Sequence, residues 1–199
     1  MTGLSPEHAA ARVGKITASC FSRVMAKTDT DKYKNYMLQI VTERLTGQPA
    51  GSDYINDAMQ WGIDTEAAAL RAYEAYSGLI TEPCGLLLHP LLPHVGASPD
   101  SLVGTTGLLE AKCPKSSTHL EYLMAERLPP EYRWQVFGQL WVSGREWADF
   151  ISYDPRFPDH MRLLVVRVDR DEPYISELAD KVQEFELGVQ AMVKRFGGA

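Results

Sequence analysis

The sequence has few cysteines and no long apolar run, and both shortages narrow the possible classes of protein. Cys20, Cys84 and Cys113 are odd in number, widely spaced and never part of a C-x-x-C pair, which argues against a disulfide framework and a Cys-rich zinc site. Free cysteines of this kind are typical of a reducing cytoplasm. No apolar stretch approaches the ~20 residues that a helix needs to cross a bilayer. We therefore expect a cytoplasmic protein with no membrane partner.

Basic residues are also scarce relative to acidic ones. The chain has 20 Lys and Arg against 26 Asp and Glu, a formal net charge of -6 at pH 7. This balance counts against a protein that coats nucleic acid through a broad basic surface. It leaves open an acidic metal site, where the bound ion supplies the local positive charge. Neither G-x-S-x-G nor G-x-x-x-x-G-K-[ST] occurs, so a hydrolase nucleophile elbow and a nucleotide phosphate loop have no support.

What is present fits an ordinary globular domain. The 199 residues are 45% hydrophobic and 23% charged, without repeats or low-complexity tracts, which predicts one domain over 1–199. We divide it into a helical part over about 1–52 and a core over about 53–199. Helices come first, then three strands, two helices, two strands and a last helix. This order predicts an α/β domain with a central mixed sheet flanked by helices.

Hydrophobic periodicity and turn residues give the individual elements. Thr17 is a plausible N-cap for a short helical stretch, and a break near Gly62 is expected inside the second long helix. Predicted helices cover 31–46, 53–77, 116–127, 130–142 and 172–196; predicted strands cover 95–98, 101–103, 108–113, 147–153 and 162–168, with an interrupted extended segment over 80–89.

Glu110 and Lys112 form the centre of the candidate site. They are two residues apart on a predicted strand, so their side chains share a face, while Leu109 and Ala111 point into a core on the other. Asp100 can join them only across the hairpin that follows it. A three-residue loop over 104–106 sets Asp100 opposite Glu110, whereas a two-residue loop turns it to the wrong face. We therefore predict an odd-length loop or a bulge.

Two neighbouring carboxylates repel each other by roughly 1 to 4 kcal/mol at effective dielectric constants of 80 to 20. A divalent cation removes that repulsion, and hard oxygen ligands suit Mg²⁺ or Mn²⁺. Such an ion lowers the pKa of a bound water and stabilises charge on a reacting phosphate. Lys112 would orient or help deprotonate that water. Glu66, followed by small residues, is a candidate outer ligand. The alternative interpretations are that Asp100 is an ordinary turn aspartate, that Glu110 and Lys112 are an exposed pair on a strand, and that Glu66 is a solvated charge on a helix.

Other residues favour ordinary structural roles. His89 and His94 flank a Pro-rich turn and have neither a cysteine nor a third histidine nearby, which indicates loop histidines rather than a zinc site. Trp134, Trp141 and Trp147 are expected in the core rather than as platforms for stacking bases.

The residues quoted so far resemble a known family. Pro99-Asp100 followed by Glu110-Ala111-Lys112 resembles the PD-(D/E)xK nuclease motif. Residues 96–100 (GASPD) and 107–114 (GLLEAKCP) are similar to phage lambda-type exonuclease, the alkaline exonuclease of phage recombination systems. The resemblance covers nearly the whole chain. Its further segments are 12–19 (RVGKITAS), the stretch from Trp61 to Glu66, 135–141 (QVFGQLW) and 153–156 (YDPR).

This resemblance implies a restriction-endonuclease-like core and a Mg²⁺-dependent 5′→3′ exonuclease. Such an enzyme digests the 5′-ended strand of linear double-stranded DNA and leaves a 3′ overhang. The overhang passes to a single-strand annealing protein during DNA recombination. The family works as a homotrimeric ring around DNA, encoded by phage or prophage in a bacterial host. An endonuclease with the same metal site, and a non-catalytic adaptor that binds DNA ends, remain the alternatives.

The resemblance also implies roles for individual residues. Asp100, Glu110, Lys112 and Glu66 would be catalytic. The metal ligands would be Asp100, Glu110, Glu66 and the backbone carbonyl of Ala111, holding two Mg²⁺ ions, with Mn²⁺ as a substitute. A pocket for the terminal 5′-phosphate would comprise Arg12, Ser19, Ser98 and Gln135. The segment after Gly47 departs from the family pattern, so the helices that grip DNA there are not carried over.

Overall fold

The structure is a computed structural model that describes residues 6–50 and 57–197. Short 3₁₀ turns at Ala18–Cys20, Pro130–Tyr132 and Asp159–Met161 connect longer elements. The helices are α1 Pro6–Ala11, α2 Phe21–Val24, α3 Asp31–Thr46, α4 Asp57–Ser77, α5 Ser116–Ala125, α6 Arg133–Ser143 and α7 Glu172–Arg195. The strands are β1 Ile16–Thr17, β2 Thr81–Pro83, β3 Leu87–His89, β4 Leu92–Ala97, β5 Ser101–Val103, β6 Gly107–Lys112, β7 Trp147–Tyr153 and β8 Leu163–Asp169.

The strands form two mixed sheets rather than the single central sheet expected from the sequence. The large sheet has the order β2-β5-β6-β7-β8, in which only the β6–β7 pair is parallel among the described residues. The small sheet has the order β1-β4-β3, with β1 parallel to β4. The chain changes sheets around Pro99, which has no N–H to continue a ladder. The mixed α/β fold flanked by helices is confirmed.

Most predicted elements occur close to their expected bounds. Helix α3 and strands β5 and β7 have the predicted limits. Helix α4 runs through Gly62 without a break, and its predicted beginning at 53–56 lies outside the described residues. Thr17 precedes the turn at Ala18–Cys20 but gives no side-chain cap. Strand β1 was missed, since two residues carry no periodicity.

The large sheet is covered on both faces. On one face Leu109 and Ile151 pack with Ala69 and Tyr73 of α4. On the other, Leu108 packs with apolar residues of α6 and α7. Because side chains alternate along β6, Glu110 shares the α6 face with Leu108. A further core joins α3 and α7 to the small sheet.

Other expectations can be compared with the packing. Trp134, Trp141 and Trp147 pack against the buried clusters, as predicted. His89 and His94 are on β3 and β4 rather than in a loop, because the turn between these strands is only two residues long. In the residues that the structure describes, no helix combines the length and apolarity that a membrane span requires.

Candidate active site

The β5–β6 hairpin places Asp100 on the face of the sheet that was predicted from the sequence. Ser101 pairs with Leu109 and Val103 with Gly107, which leaves a three-residue loop over 104–106. The backbone N–H of Asp100 donates to the carbonyl oxygen of Leu109 at 3.1 Å and extends the ladder by one step. Asp100 therefore stands opposite Glu110, and the predicted odd-length loop is confirmed.

Glu110 is 1% exposed and its carboxylate accepts three side-chain hydrogen bonds. Oε1 accepts from Nζ of Lys112 and from Nε2 of Gln135. Oε2 accepts from Nε2 of Gln139. A carboxylate removed from water is unfavourable unless donors replace the lost water. Lys112 and two amides of α6 supply those donors here.

The carboxylate of Asp100 is less well compensated electrostatically than that of Glu110. Its Oδ2 accepts from the backbone N–H of Ala111 at 2.7 Å. Burial, followed by the negative charge of Glu110, raises the pKa of Asp100 to about 8, against the opposing effect of Lys112. Glu66 adds a smaller contribution in the same direction. Two carboxylates and a third nearby thus favour an additional positive charge at this position.

Lys112 carries part of that positive charge. Burial by itself lowers the pKa of Lys112, but the negative charges of Glu110 and Asp100 and the hydrogen bond to Glu110 outweigh burial and raise the pKa. Nζ also lies 5.3 Å from the centre of the Tyr132 ring, within reach of a cation–π attraction. A lysine that keeps its proton is suited to orienting water and neutralising phosphate charge rather than to accepting a proton.

The candidate residues meet at a cavity of about 500 Å³ at the end of β6. Glu66 reaches it from α4, and Asp100, Ala111 and Lys112 reach it from the hairpin. Cys113 and Tyr132 also line it, whereas Glu110 is buried and connected to it through Lys112. The structure therefore brings Glu66, Asp100, Ala111 and Lys112 to one cavity.

The oxygen groups at this cavity fit a hard divalent cation in their chemistry. Among residues 6–50 and 57–197, however, no group of three or more His, Cys, Asp or Glu side chains could hold a metal ion by itself. Two carboxylates, at Asp100 and Glu66, line the cavity together with Ala111, whose backbone carbonyl is a further oxygen donor. Mg²⁺ usually keeps several waters and takes one or two carboxylates from the protein, which matches this set. A cation there would also offset the burial and the negative charge of Glu110, which together raise the pKa of Asp100.

A second cluster surrounds the guanidinium of Arg12. Nη2 donates to Oγ of Ser19 at 2.8 Å and to Oγ1 of Thr17 at 2.9 Å, and Nη1 donates to Oγ of Ser98 at 3.3 Å. Three of the four residues assigned to the phosphate pocket are therefore together. Sequence reasoning missed the contact with Thr17, which it considered only as a helix cap. Ser98 lies two residues before Asp100, so one short segment joins the two clusters.

Gln135, the fourth residue assigned to that pocket, donates to Glu110 instead. Helix α6 nevertheless lies between the two clusters, because Gly138 lets it approach the turn that bears Ser19. A Cβ atom at Gly138 would lie 2.3 Å from the Phe21 ring and 3.2 Å from the Cβ of Ala18. The same helix therefore contacts Glu110 through amides and the turn at Ala18–Cys20 through its glycine.

Two further groups were not recognised as part of the site. Gln139 is buried on α6 and donates to Glu110. The available signal was its spacing of four from Gln135 on a helix that is apolar elsewhere between its two ends. Arg156 donates to the buried Asp154 at 2.7 Å and lies 4.4 Å from the Trp61 ring centre. That contact holds the beginning of α4, which bears Glu66, against the end of β7.

Comparisons with known proteins agree with the resemblance found in the sequence. The YqaJ-like viral recombinase domain family matches residues 7–146. The crystal structure of an alkaline exonuclease, LHK-Exo, from Laribacter hongkongensis is 40% identical, with 96% of both chains covered and a TM-score of 0.90. The complex of LHK-Exo with dAMP gives the same values. A phage-related exonuclease from Haemophilus somnus shares the fold at 17% identity, with 92% of this chain and 94% of that chain covered and a TM-score of 0.65. A search of curated protein sequences gave no match. The resemblance to alkaline exonucleases is confirmed.

Proposed function

The chain belongs to the YqaJ-like viral recombinase domain family, and from this premise we propose that it is a metal-dependent exonuclease acting on the ends of double-stranded DNA. It digests the 5′-ended strand in the 5′→3′ direction and leaves a 3′ overhang for recombination. The observation that carries the proposal is the hairpin register that sets Asp100 opposite Glu110, beside Lys112. The binding of dAMP, a nucleoside monophosphate, by the similar LHK-Exo supports a nuclease.

Asp100, Glu66 and the Ala111 carbonyl, with Glu110 once it releases a donor, are the groups that would hold Mg²⁺ or Mn²⁺. Two ions are proposed for the site. When bound, such ions lower the pKa of water and stabilise negative charge on the phosphate. Lys112 donates from its protonated Nζ to a water or phosphate oxygen in the cavity. Tyr132 limits the directions that the Lys112 side chain can take.

The second cluster supports the proposed polarity of digestion. Arg12 presents several N–H donors, and Ser19 and Ser98 add hydroxyl groups, a combination that suits a terminal 5′-phosphate. Ser98 and Asp100 are two residues apart, about 7 Å along an extended chain. A phosphate bound by Arg12 would thus leave the next phosphodiester of the same strand near Asp100. Gln135 joins this pocket if it moves from Glu110.

A digestion assay on linear duplex DNA tests the activity. Asp100→Asn and Lys112→Ala should each abolish the release of nucleotides in Mg²⁺, because each removes a group proposed to act in phosphodiester cleavage. Both variants should still bind DNA ends, because the Arg12 cluster is intact. Asp180→Asn and Lys34→Ala, on exposed helix surfaces, are the matched controls and should digest like the wild type. Continued digestion by both site variants would remove the assignment, and cleavage of covalently closed circles would favour an endonuclease.

The proposal extends to assembly and partner. A homotrimeric ring with DNA in its channel would hold the substrate by enclosure, which offsets the weak electrostatic attraction expected at a net charge of -6. The expected mass in solution is three times 22.2 kDa, and sedimentation velocity measures it; a monomer at all concentrations would contradict the ring. The partner would be a phage or prophage single-strand annealing protein in the bacterial cytoplasm.

A further inference from the structure

We propose that Gln139 is a positioning residue that fixes the Glu110 carboxylate for metal binding, and that it acts on one carboxylate oxygen only. The inference rests on the proposed function and deepens it. Gln139 and Glu110 are each 1% exposed. Nε2 of Gln139 donates to Oε2 of Glu110. Lys112 and Gln135 both donate to the other oxygen, Oε1.

Packing alone does not explain a glutamine at this position. Its neighbours on the buried face of α6 are apolar, among them Val136, Leu140 and Val142. Within the part of the chain that the structure describes, Oε1 of Gln139 is buried without a hydrogen-bond partner. An unsatisfied buried amide oxygen is unfavourable, and a methionine of similar volume would avoid this loss. The amide is therefore best explained by its donation to Glu110.

The three donors differ in their freedom to move. Lys112 lines the cavity and its side chain is 25% exposed, and Gln135 is half-buried. Either can turn towards a bound phosphate or water and release Oε1. Gln139 has no such alternative, since it is enclosed between α6 and β6. Oε2 is thus the fixed oxygen of Glu110, and Oε1 is the oxygen available to a cation.

Removal of this anchor should weaken metal binding and leave the grip on DNA unchanged. Outer partners of metal ligands are typically worth about 10- to 100-fold in metal affinity. Gln139→Met keeps the volume and removes the donor, so we expect its Mn²⁺ dissociation constant, measured by calorimetry without DNA, to rise about tenfold or more. The kcat should fall, whereas the KM for DNA ends should stay near that of the wild type because the Arg12 cluster is untouched.

Gln190→Met is the matched control. Gln190, which is itself exposed, also donates through Nε2 to a buried carboxylate, Oε1 of Glu186, at 2.8 Å. This pair joins turns of α7, and neither residue lines the cavity that contains Asp100. Gln190→Met should bind Mn²⁺ like the wild type. Gln139→Asn is the second variant if the methionine disturbs folding. It keeps the amide but shortens its reach, and should lose Mn²⁺ affinity in the same direction.

A double-variant cycle tests whether Gln139 acts through Glu110. In a Glu110→Gln background, adding Gln139→Met should not weaken Mn²⁺ binding further. A dissociation constant for Gln139→Met within about twofold of the wild type, rather than the 10-fold or more expected of an outer partner, or an additive loss in the double variant, would overturn the inference. So would a wild type that binds no Mn²⁺. Failure of the proposed function is distinct, since it appears as wild-type protein that binds Mn²⁺ but releases no nucleotide from DNA.

Discussion

Arg12 is the residue whose contacts most directly suggest a ligand. Its guanidinium is surrounded by the hydroxyl groups of Thr17, Ser19 and Ser98, at 2.8 to 3.3 Å. Hydroxyl groups can accept from arginine and at the same time donate to an anion. No carboxylate neutralises Arg12 among its hydrogen-bond partners in the described residues. The group therefore has the composition expected of the proposed 5′-phosphate pocket.

Arg12→Ala should reduce the preference for 5′-phosphorylated over 5′-hydroxyl ends. A hydrogen bond to a charged group contributes about 1.5 to 3 kcal/mol, or roughly 10- to 100-fold in the ratio of the two digestion rates. The rate on hydroxyl ends should change little, because those ends do not use the pocket. Matched duplexes that differ only at the 5′ end provide the measurement.

Arg23→Ala is the control for this change. Arg23 is an exposed arginine of α2 whose guanidinium lies over the Tyr36 ring, and its loss should leave the preference for phosphorylated ends intact. If Arg12→Ala and the wild type show the same ratio of rates, the phosphate pocket is excluded.

Single residues differ in how far the sequence predicts them. The face of Asp100 follows from counting residues in one hairpin, since strand alternation has a fixed period of two. No comparable rule predicts the role of Gln139, because its hydrogen bond to Glu110 depends on the distance between α6 and β6. Gln135 was placed with Arg12 by resemblance, whereas its amide donates to Glu110.

At the scale of elements, local sequence patterns predicted the limits of helices and strands but not the pairing between distant segments. Helix α3 has its predicted limits because its N-cap Thr30 accepts from the N–H of Tyr33 and Gly47 ends it at a φ of 67°. Strand β1 pairs with β4, far along the chain, over two residues. Pairing of that kind is set by the assembled core rather than by the segment itself, so one central sheet was expected and two were found.

Helix α6 is the element that joins the two halves of the candidate site. Its amides contact Glu110 on β6, and Gly138 brings its backbone against Phe21 and Ala18. A side chain at Gly138 would force this helix away from the turn that bears Ser19. The relative placement of the proposed metal and phosphate sites therefore depends on a glycine that has no reactive group of its own.

At the scale of the whole molecule, a partly buried ion pair and the hydrogen bonds beside it connect distant segments. Arg44 of α3 donates through both terminal nitrogens to Glu186 of α7, at 2.8 and 2.7 Å. Glu43 accepts from the N–H of Gly14, and Arg44 donates to the Gly14 carbonyl oxygen. These contacts fix the segment that follows Arg12 to the helical core. The stability of the fold is therefore coupled to the position of the Arg12 cluster.

Asp154 makes that stability depend on pH. Its carboxylate is fully buried and accepts from Ser116 and from Arg156. Burial by itself raises the pKa of Asp154, but these hydrogen bonds outweigh burial and lower the pKa from 3.8 to about 2. Since the folded pKa lies below the unfolded one, the stabilisation is complete above pH ~4 and is lost as the pH falls towards 2.

Asp154→Asn should consequently lower the free energy of unfolding by about 2 kcal/mol near neutral pH, the value of a shift of between one and two pKa units. The difference from the wild type should shrink as the pH falls from about 5 to about 2, because the wild-type carboxylate becomes protonated over that range. Urea unfolding at a series of pH values measures both effects. Asp180→Asn, at an exposed position of α7, should follow the wild type throughout. A difference between Asp154→Asn and the wild type that stays constant across this range would mean that the carboxylate charge does not hold the end of β7 to α4.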